Sequence, residues 1–172
     1  MPDSRAQHPH PTPPVFTETP VTDAAAHSLL AAYFAERALT FPAQQGRYSP
    51  TFPALEQFVP PAGVFLLLGD PAAGGFVGCG GIRRLDDTPA GAVRFEIKHL
   101  WLHPSTRGRG WGRALLAELE RRAHGFGATE VVLDTNASLT AAGALYASAG
   151  YAQIQPYNNN PNATTWYSKQ LA

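Results

Sequence analysis

The stretch from His103 to Ala123 reads HPSTRGRGWGRALLAELERRA. Glycines stand at alternate positions, Gly108, Gly110 and Gly112, among Arg107, Arg109 and Arg113, and an unbroken helical pattern follows. Glycine lets a backbone pass close to a ligand, and the free N–H groups at a helix start, with the positive end of its dipole, bind anions. The pattern predicts a phosphate cradle over residues 107–112. A tight strand-to-helix turn would require glycine but would have no use for the arginines. Two other phosphate loops fail on their residues. A dinucleotide fingerprint could begin at Gly108 and Gly110, with Asp134 closing a later strand, but its third glycine falls on Arg113 and the preceding strand is half polar. A triphosphate loop needs Gly-Lys-Ser or Gly-Lys-Thr, and neither follows.

Other reactive residue types offer less. Cys79, in VGCGG, has no histidine at a spacing that would set it beside the thiol, so it is read as an ordinary buried cysteine. His99 and His103 lack a third ligand for a metal.

The elements that position the loop follow from length, charge and periodicity. A chain of 172 residues suffices for one domain with a real core and is too short for two. Thirteen basic residues balance thirteen acidic ones, which argues against a broad surface for nucleic acid. One cysteine allows no internal disulfide and fits a reducing compartment. No apolar run reaches the roughly 18 residues of a membrane span, and the start MPDSRAQHPHPTPP lacks the apolar core of a signal peptide. A cytoplasmic protein without a membrane partner is expected, and the triplets Asn136-Ala-Ser138 and Asn162-Ala-Thr164 are then chance glycosylation matches.

Residues 1–14, rich in proline and histidine, have almost nothing to bury and read as a disordered tail before a domain over 15–172. TDAAAHSLLAAYFAERAL is a helix with Thr22 or Asp23 as its cap and Leu29, Leu30, Tyr33 and Phe34 at helical spacing, and a shorter helical piece is expected over residues 55–58. GVFLLLGD, GFVGCGGIRRL and AVRFEIKHLWL are strands joined by short turns, hence an antiparallel meander. Leu115, Leu116, Leu119 and Ala123 form one helical stripe, TEVVLD is a buried strand of the parallel kind, and LTAAGALYASAG is a helix stopped at Gly150. YAQI and TTWYSKQL close the sheet. The predicted fold is α/β (α+β), a single mixed, mostly antiparallel sheet of six to seven strands flanked by helices.

With these elements in place, the sequence resembles the GNAT acyltransferases. Their acetyl-CoA loop reads Arg or Gln, two residues, Gly, one residue, Gly or Ala, and Arg107, Gly110 and Gly112 fit it. EIKHLWLHP is similar to the family's fourth strand, and AGALYASAGY to its later helix, with Tyr146 followed by Gly150 and Tyr151. The resemblance runs from about Phe76 to Leu171 and more weakly over the first helix.

The resemblance implies that the pyrophosphate of CoA lies against the N–H groups of Gly108, Arg109, Gly110, Trp111, Gly112 and Arg113, with Arg107, Arg109 and Arg113 offsetting phosphate charge. It implies pantetheine contacts with the backbone of Leu100, Trp101 and Leu102, beside a bulge in the fourth strand. The alternation in VRFEIKHLWL slips at Leu100-Trp101, as a bulge there would make it. Trp101 itself reads as packing. Glu96 matches the family's glutamate base, able to take the amine proton directly or through water, and equally reads as a surface rung paired with Arg94 or Lys98. Tyr146 matches the general acid that protonates the leaving CoA thiolate. Many members place an asparagine seven residues before this tyrosine. Here that residue is Leu139, and Asn136, nearer the strand end, does not inherit the role.

The acceptor would meet the region after the first helix and the loop before the last strand, where Arg47, Tyr48, Tyr157 and the asparagines 158–160 are candidate contacts. A small amine is favoured over a basic protein tail, because no acidic groove is indicated. A catalytically silent acyl-CoA-binding module, a protein or peptide acetyltransferase and a homodimer all stay open.

Overall fold

The computed structural model describes residues 12–172, so most of the segment read as a disordered tail lies outside the described residues. Among the described residues seven strands form one open sheet: β1 (Val15–Glu18), β2 (Gly63–Gly69), β3 (Phe76–Arg84), β4 (Arg94–Leu102), β5 (Glu130–Thr135), β6 (Ala152–Ile154) and β7 (Thr165–Gln170). Helix α1 (Ala24–Thr40) follows β1, α2 (Trp111–Gly125) joins β4 to β5, and α3 (Thr140–Ser148) joins β5 to β6. Across the sheet the order is β1-β2-β3-β4-β5-β7-β6, and among the described residues only the β4–β5 pair is parallel. The expected sequence of elements is found, including the 3-10 turn Leu55–Phe58. The last strand, β7, inserts between β5 and β6.

Helices cover both faces, and β2 shows the consequence. Val64, Leu66 and Leu68 pack in the core under α2 and α3, while Phe65 and Leu67 pack in the core under α1. A strand buried on both sides reads as a continuous apolar run, as GVFLLLG does. Of the two proposed caps for α1, Asp23 is the one used: its Oδ1 accepts from Ala25 N at 2.8 Å.

The glycines of VGCGG are explained by packing. A Cβ on Gly81 would lie 2.6 Å from Phe58 Cε1 and 2.9 Å from Phe65 Cδ2. Gly81→Ala is therefore expected to lose about 1–3 kcal/mol through overpacking, read as a lower denaturation midpoint. An unchanged midpoint would mean that the two rings have room to turn.

The functional cleft originates in β4. Its pairing with β5 covers only Arg94 to Ile97, after which the two strands have no paired residues. Against β3, Trp101 faces Cys79 and Lys98 faces Gly81, so His99 and Leu100 together oppose Gly80. The bulge thus lies one residue earlier than the expected Leu100-Trp101. His99 takes the unusual φ of 57°, and opposite it Gly80 packs closely against α2, where a Cβ would stand 3.0 Å from Leu119 Cδ1.

Candidate active site

Where β4 and β5 part, a cleft of about 1350 Å³ opens through the molecule. Its lining comes from the loop before α2, β4, α3, α1 and the segments around Tyr48 and Asn160.

In the loop before α2 the backbone donors are free. Among the described residues, the N–H groups of Gly108, Arg109, Gly110, Trp111, Gly112 and Arg113 have no hydrogen-bond partner; the first N–H engaged in the helix is that of Ala114, on Gly110 O at 3.1 Å. No side chain caps α2 and its first turn holds no acidic residue. Gly108 and Gly110 have φ of 79° and 76°, with open space where a side chain would start. Left-handed backbone at these two positions turns successive donors toward the cleft.

The arginines divide. Arg107 lines the cleft and holds Glu36 Oε1 at 2.5 Å. Arg113 lines it too, donating to Ser148 Oγ at 2.5 Å. Arg109, expected to offset phosphate charge, does not line the cleft: its Nη1 meets Asp70 Oδ2 at 2.8 Å and its guanidinium lies 3.7 Å from the centre of the Trp111 ring. Asp70, buried where β2 ends, draws it there, and the hydrogen bond from Arg109 holds that carboxyl below the usual carboxylate range. Trp111 is 4% exposed and packs in the core, leaving its N–H as its contribution to the loop.

Leu100, Trp101 and Leu102 line the middle of the cleft, on the stretch of β4 that β5 leaves unpaired. The Trp101 ring is packing, as expected, and donates Nε1–H to Glu36 Oε2 at 3.2 Å. Tyr146 lines the opposite wall with its ring against Tyr151 and Tyr167, at 5.9 and 5.8 Å between centroids. Burial, reinforced by the Asp134 charge, pushes its phenol well above the ordinary range, so it keeps its proton.

Residues 25–151 match the acetyltransferase (GNAT) family. The chain belongs to that family. A curated relative, an uncharacterized N-acetyltransferase of Schizosaccharomyces pombe, is 30% identical over 115 residues, 67% of this chain and 68% of the relative. A solved structure from Klebsiella pneumoniae, described as a candidate acyl-CoA N-acyltransferase, is 29% identical with a TM-score of 0.70, covering 92% of this chain and 98% of that one. A chain of the NatC complex, solved with Gag peptide and CoA, shares the fold at 17% identity and a TM-score of 0.65, over 94% of this chain and all of that one. The protein is thus an acyltransferase of the GNAT fold, and acyl-CoA is the donor that this family uses.

Within this GNAT site, the sequence-predicted acceptor and proton-transfer residues separate. Tyr48 lines the cleft; Arg47, Tyr157 and Glu96 do not. Glu96 is fully buried, with Oε2 2.7 Å from Arg83 Nη2 and Oε1 accepting from the Tyr157 hydroxyl at 2.8 Å. Its main partner is neither of the two expected. Arg94 is held by Glu130 at 2.8 Å, and Lys98 stands 3.5 Å away, whereas Arg83 faces Glu96 directly across β3 and β4.

The GNAT cleft also contains residues that the sequence did not single out for it. Asp134 lines it, with Oδ1 3.0 Å from Lys98 Nζ and Oδ2 accepting from Asn158 and Asn160 at 2.7 and 3.1 Å. Burial would raise this carboxyl, but Lys98 and the two amides outweigh it and hold it below the usual range, ionised. The signal was available: a charged residue closing an apolar strand at its carboxyl end, where open sheets bind ligands. Asn136 lines the cleft, donating to Gln45 Oε1 at 2.6 Å, and Leu139 starts α3 without a side-chain cap. His99 lines it as well; burial, with Lys98 and Arg83 nearby, pushes its imidazole down to about 3, so it is neutral. Cys79 is buried with its thiol raised, which keeps it protonated and without nucleophilic character.

Proposed function

We propose that this protein is an acetyl-CoA-dependent N-acetyltransferase acting on the primary amine of a small molecule. One observation carries the reading: a single cleft is lined together by the uncapped start of α2, the Tyr146 side chain and the α1 residues Tyr33, Phe34 and Arg37. The free N–H groups of residues 108–113, with Arg107 and Arg113, suit a pyrophosphate, and the unpaired stretch of β4 at Leu100, Trp101 and Leu102 suits a pantetheine amide chain. Acetyl-CoA supplies a thioester whose carbonyl carbon the neutral amine attacks directly, with CoA leaving as thiolate. Tyr146 donates its phenolic proton to that sulfur and is reprotonated from solvent. The nitrogen loses its proton to water in the cleft. A small acceptor is favoured over a basic tail because the carboxylates that line the cleft are already engaged, Glu36 by Arg107 and Trp101 and Asp134 by Lys98. A screen of amines with acetyl-CoA, followed by release of free thiol, tests the reading; CoA binding with no thiol released from any amine would make the chain a silent acyl-CoA-binding module.

Of the two roles open to Glu96, the geometry supports the ion pair. Both carboxylate oxygens are engaged and the side chain is 1% exposed, so no acceptor reaches it. Glu96→Gln is expected to lower stability by about 1–3 kcal/mol, since removing one partner of a buried pair strands the other and Arg83 is only partly relieved by solvent. The rate should fall by a similar factor at every pH. A loss concentrated at low pH, where the acceptor amine is most protonated, would return Glu96 to the role of base acting through water.

A further inference from the structure

Arg37 stands in the last turn of α1 on the wall of the cleft, 5% exposed. Arg83, Arg94, Arg107 and Arg109 each hold a carboxylate. Among the described residues Arg37 forms no ion pair, and its Nη1 is sealed from solvent with no hydrogen-bond partner. The rings of Tyr48 and Phe41 lie 5.5 and 5.9 Å from its guanidinium carbon, and the negative end of α1 is close. These offset part of the cost of burying the charge but accept none of its N–H groups. A guanidinium held in this way is complete only when an anion enters.

Two further donors share the wall. Tyr33 and Tyr48 line the cleft, and neither hydroxyl bonds to another described group. Burial raises both phenols while the charge of Arg37 opposes the rise in both, so the three groups sit within one another's field and the hydroxyls stay protonated. The other cations of this wall are occupied, Arg83 by Glu96 and Lys98 by Asp134. The unsatisfied chemistry at the acceptor end is therefore a planar cation and two O–H donors, which matches a carboxylate.

We propose that Arg37, with the Tyr33 and Tyr48 hydroxyls, binds a carboxylate of the acyl acceptor, so that the substrate is an amino acid and not a simple amine. This rests on the acetyl-transfer reading above and narrows its acceptor. The amine is then presented toward Tyr146 and the thioester, while Phe34 and Phe52, which also line the cleft, meet the acceptor's apolar part.

The test assays the common L-amino acids with acetyl-CoA beside their own carboxamides and descarboxy amines, by thiol release. In parallel, calorimetry follows the binding of each amino acid and carboxamide to the CoA-loaded protein. At least one amino acid should be acetylated with kcat/KM roughly 10²- to 10³-fold above its carboxamide, because the neutral analogue leaves the buried cation unpaired. Arg37→Met should bring the two together while binding CoA as before, and its thermal midpoint should hold or rise, since an unpaired buried charge is removed. Arg37→Lys should restore part of the preference, as a point charge lacks the planar fork. Equal use of carboxamides or descarboxy amines overturns the proposal, as does an Arg37→Met protein that keeps the preference. A preference for phosphoethanolamine over every amino acid overturns the carboxylate in favour of a phosphate. If no compound releases thiol, the transferase reading fails separately. Calorimetry then decides the carboxylate: selective binding of an amino acid supports it, and binding of none overturns it.

Discussion

Gly110→Asp is expected to fold and to bind CoA about 10²-fold or more weakly than the natural protein, the scale of a disrupted charged contact. Gly110 carries a φ of 76° at the start of α2, with nothing within 4 Å of the place a Cβ would occupy. Aspartate is among the residues that tolerate this conformation, so the backbone cost stays at about 1–2 kcal/mol. The carboxylate itself is the reason for the loss. It would stand among six N–H groups that have no partner in the chain, satisfy some of them, and repel the phosphates that they otherwise bind. Gly110→Ala separates the two effects, because it meets the same φ without the charge and should weaken binding far less. Calorimetric titration with CoA, beside a thermal melt to show folding, provides the measurement. A folded Gly110→Asp protein with unchanged affinity would remove the start of α2 from the donor site.

Tyr146→Phe should lower turnover by about 10²- to 10⁴-fold, the range of a positioned general acid, with acetyl-CoA affinity unchanged. The ring packs against Tyr151 and Tyr167 and is 6% exposed, and phenylalanine keeps those contacts, so stability should hold. The hydroxyl has no hydrogen-bond partner among the described residues, which leaves it available to a leaving sulfur. The pH dependence has a definite sign. Because the folded protein raises this phenol, the acid stays loaded through the alkaline range where a free tyrosine would begin to ionise. Activity should therefore not fall between pH 8 and 10 through Tyr146. Equal turnover by the phenylalanine protein would assign Tyr146 to packing alone.

The contrast among the three loop arginines shows where sequence reasoning stops. All three flank the same glycines, and the sequence treats them alike. Arg107 and Arg113 do line the cleft, but Arg109 pairs with Asp70, 39 residues earlier, and stacks on Trp111. Glu96 and Tyr157 show the same limit. The sequence left Glu96 as either a base or a rung paired with Arg94 or Lys98 and offered Tyr157 as an acceptor contact. It could not show that the Tyr157 hydroxyl donates to Glu96 across 61 residues. Arg37 went unremarked for the complementary reason: on the sequence it is one polar residue of an amphipathic helix, and only its burial without a partner gives it meaning.

What the sequence determined by itself is what local forces decide. The 3.6 and 2.0 periods set the elements and their order, Asp23 and Gly150 set helix ends, and Gly108 and Gly110 followed by a helix set an anion-binding loop, because φ preference and free N–H groups belong to residues adjacent in the chain. The tertiary structure decided the insertion of β7 between β5 and β6, the His99 bulge, and which charges are neutralised and which are left for a ligand. Ion pairing and burial depend on groups brought together through a low-dielectric interior from distant parts of the chain, and no spacing along the sequence records that meeting.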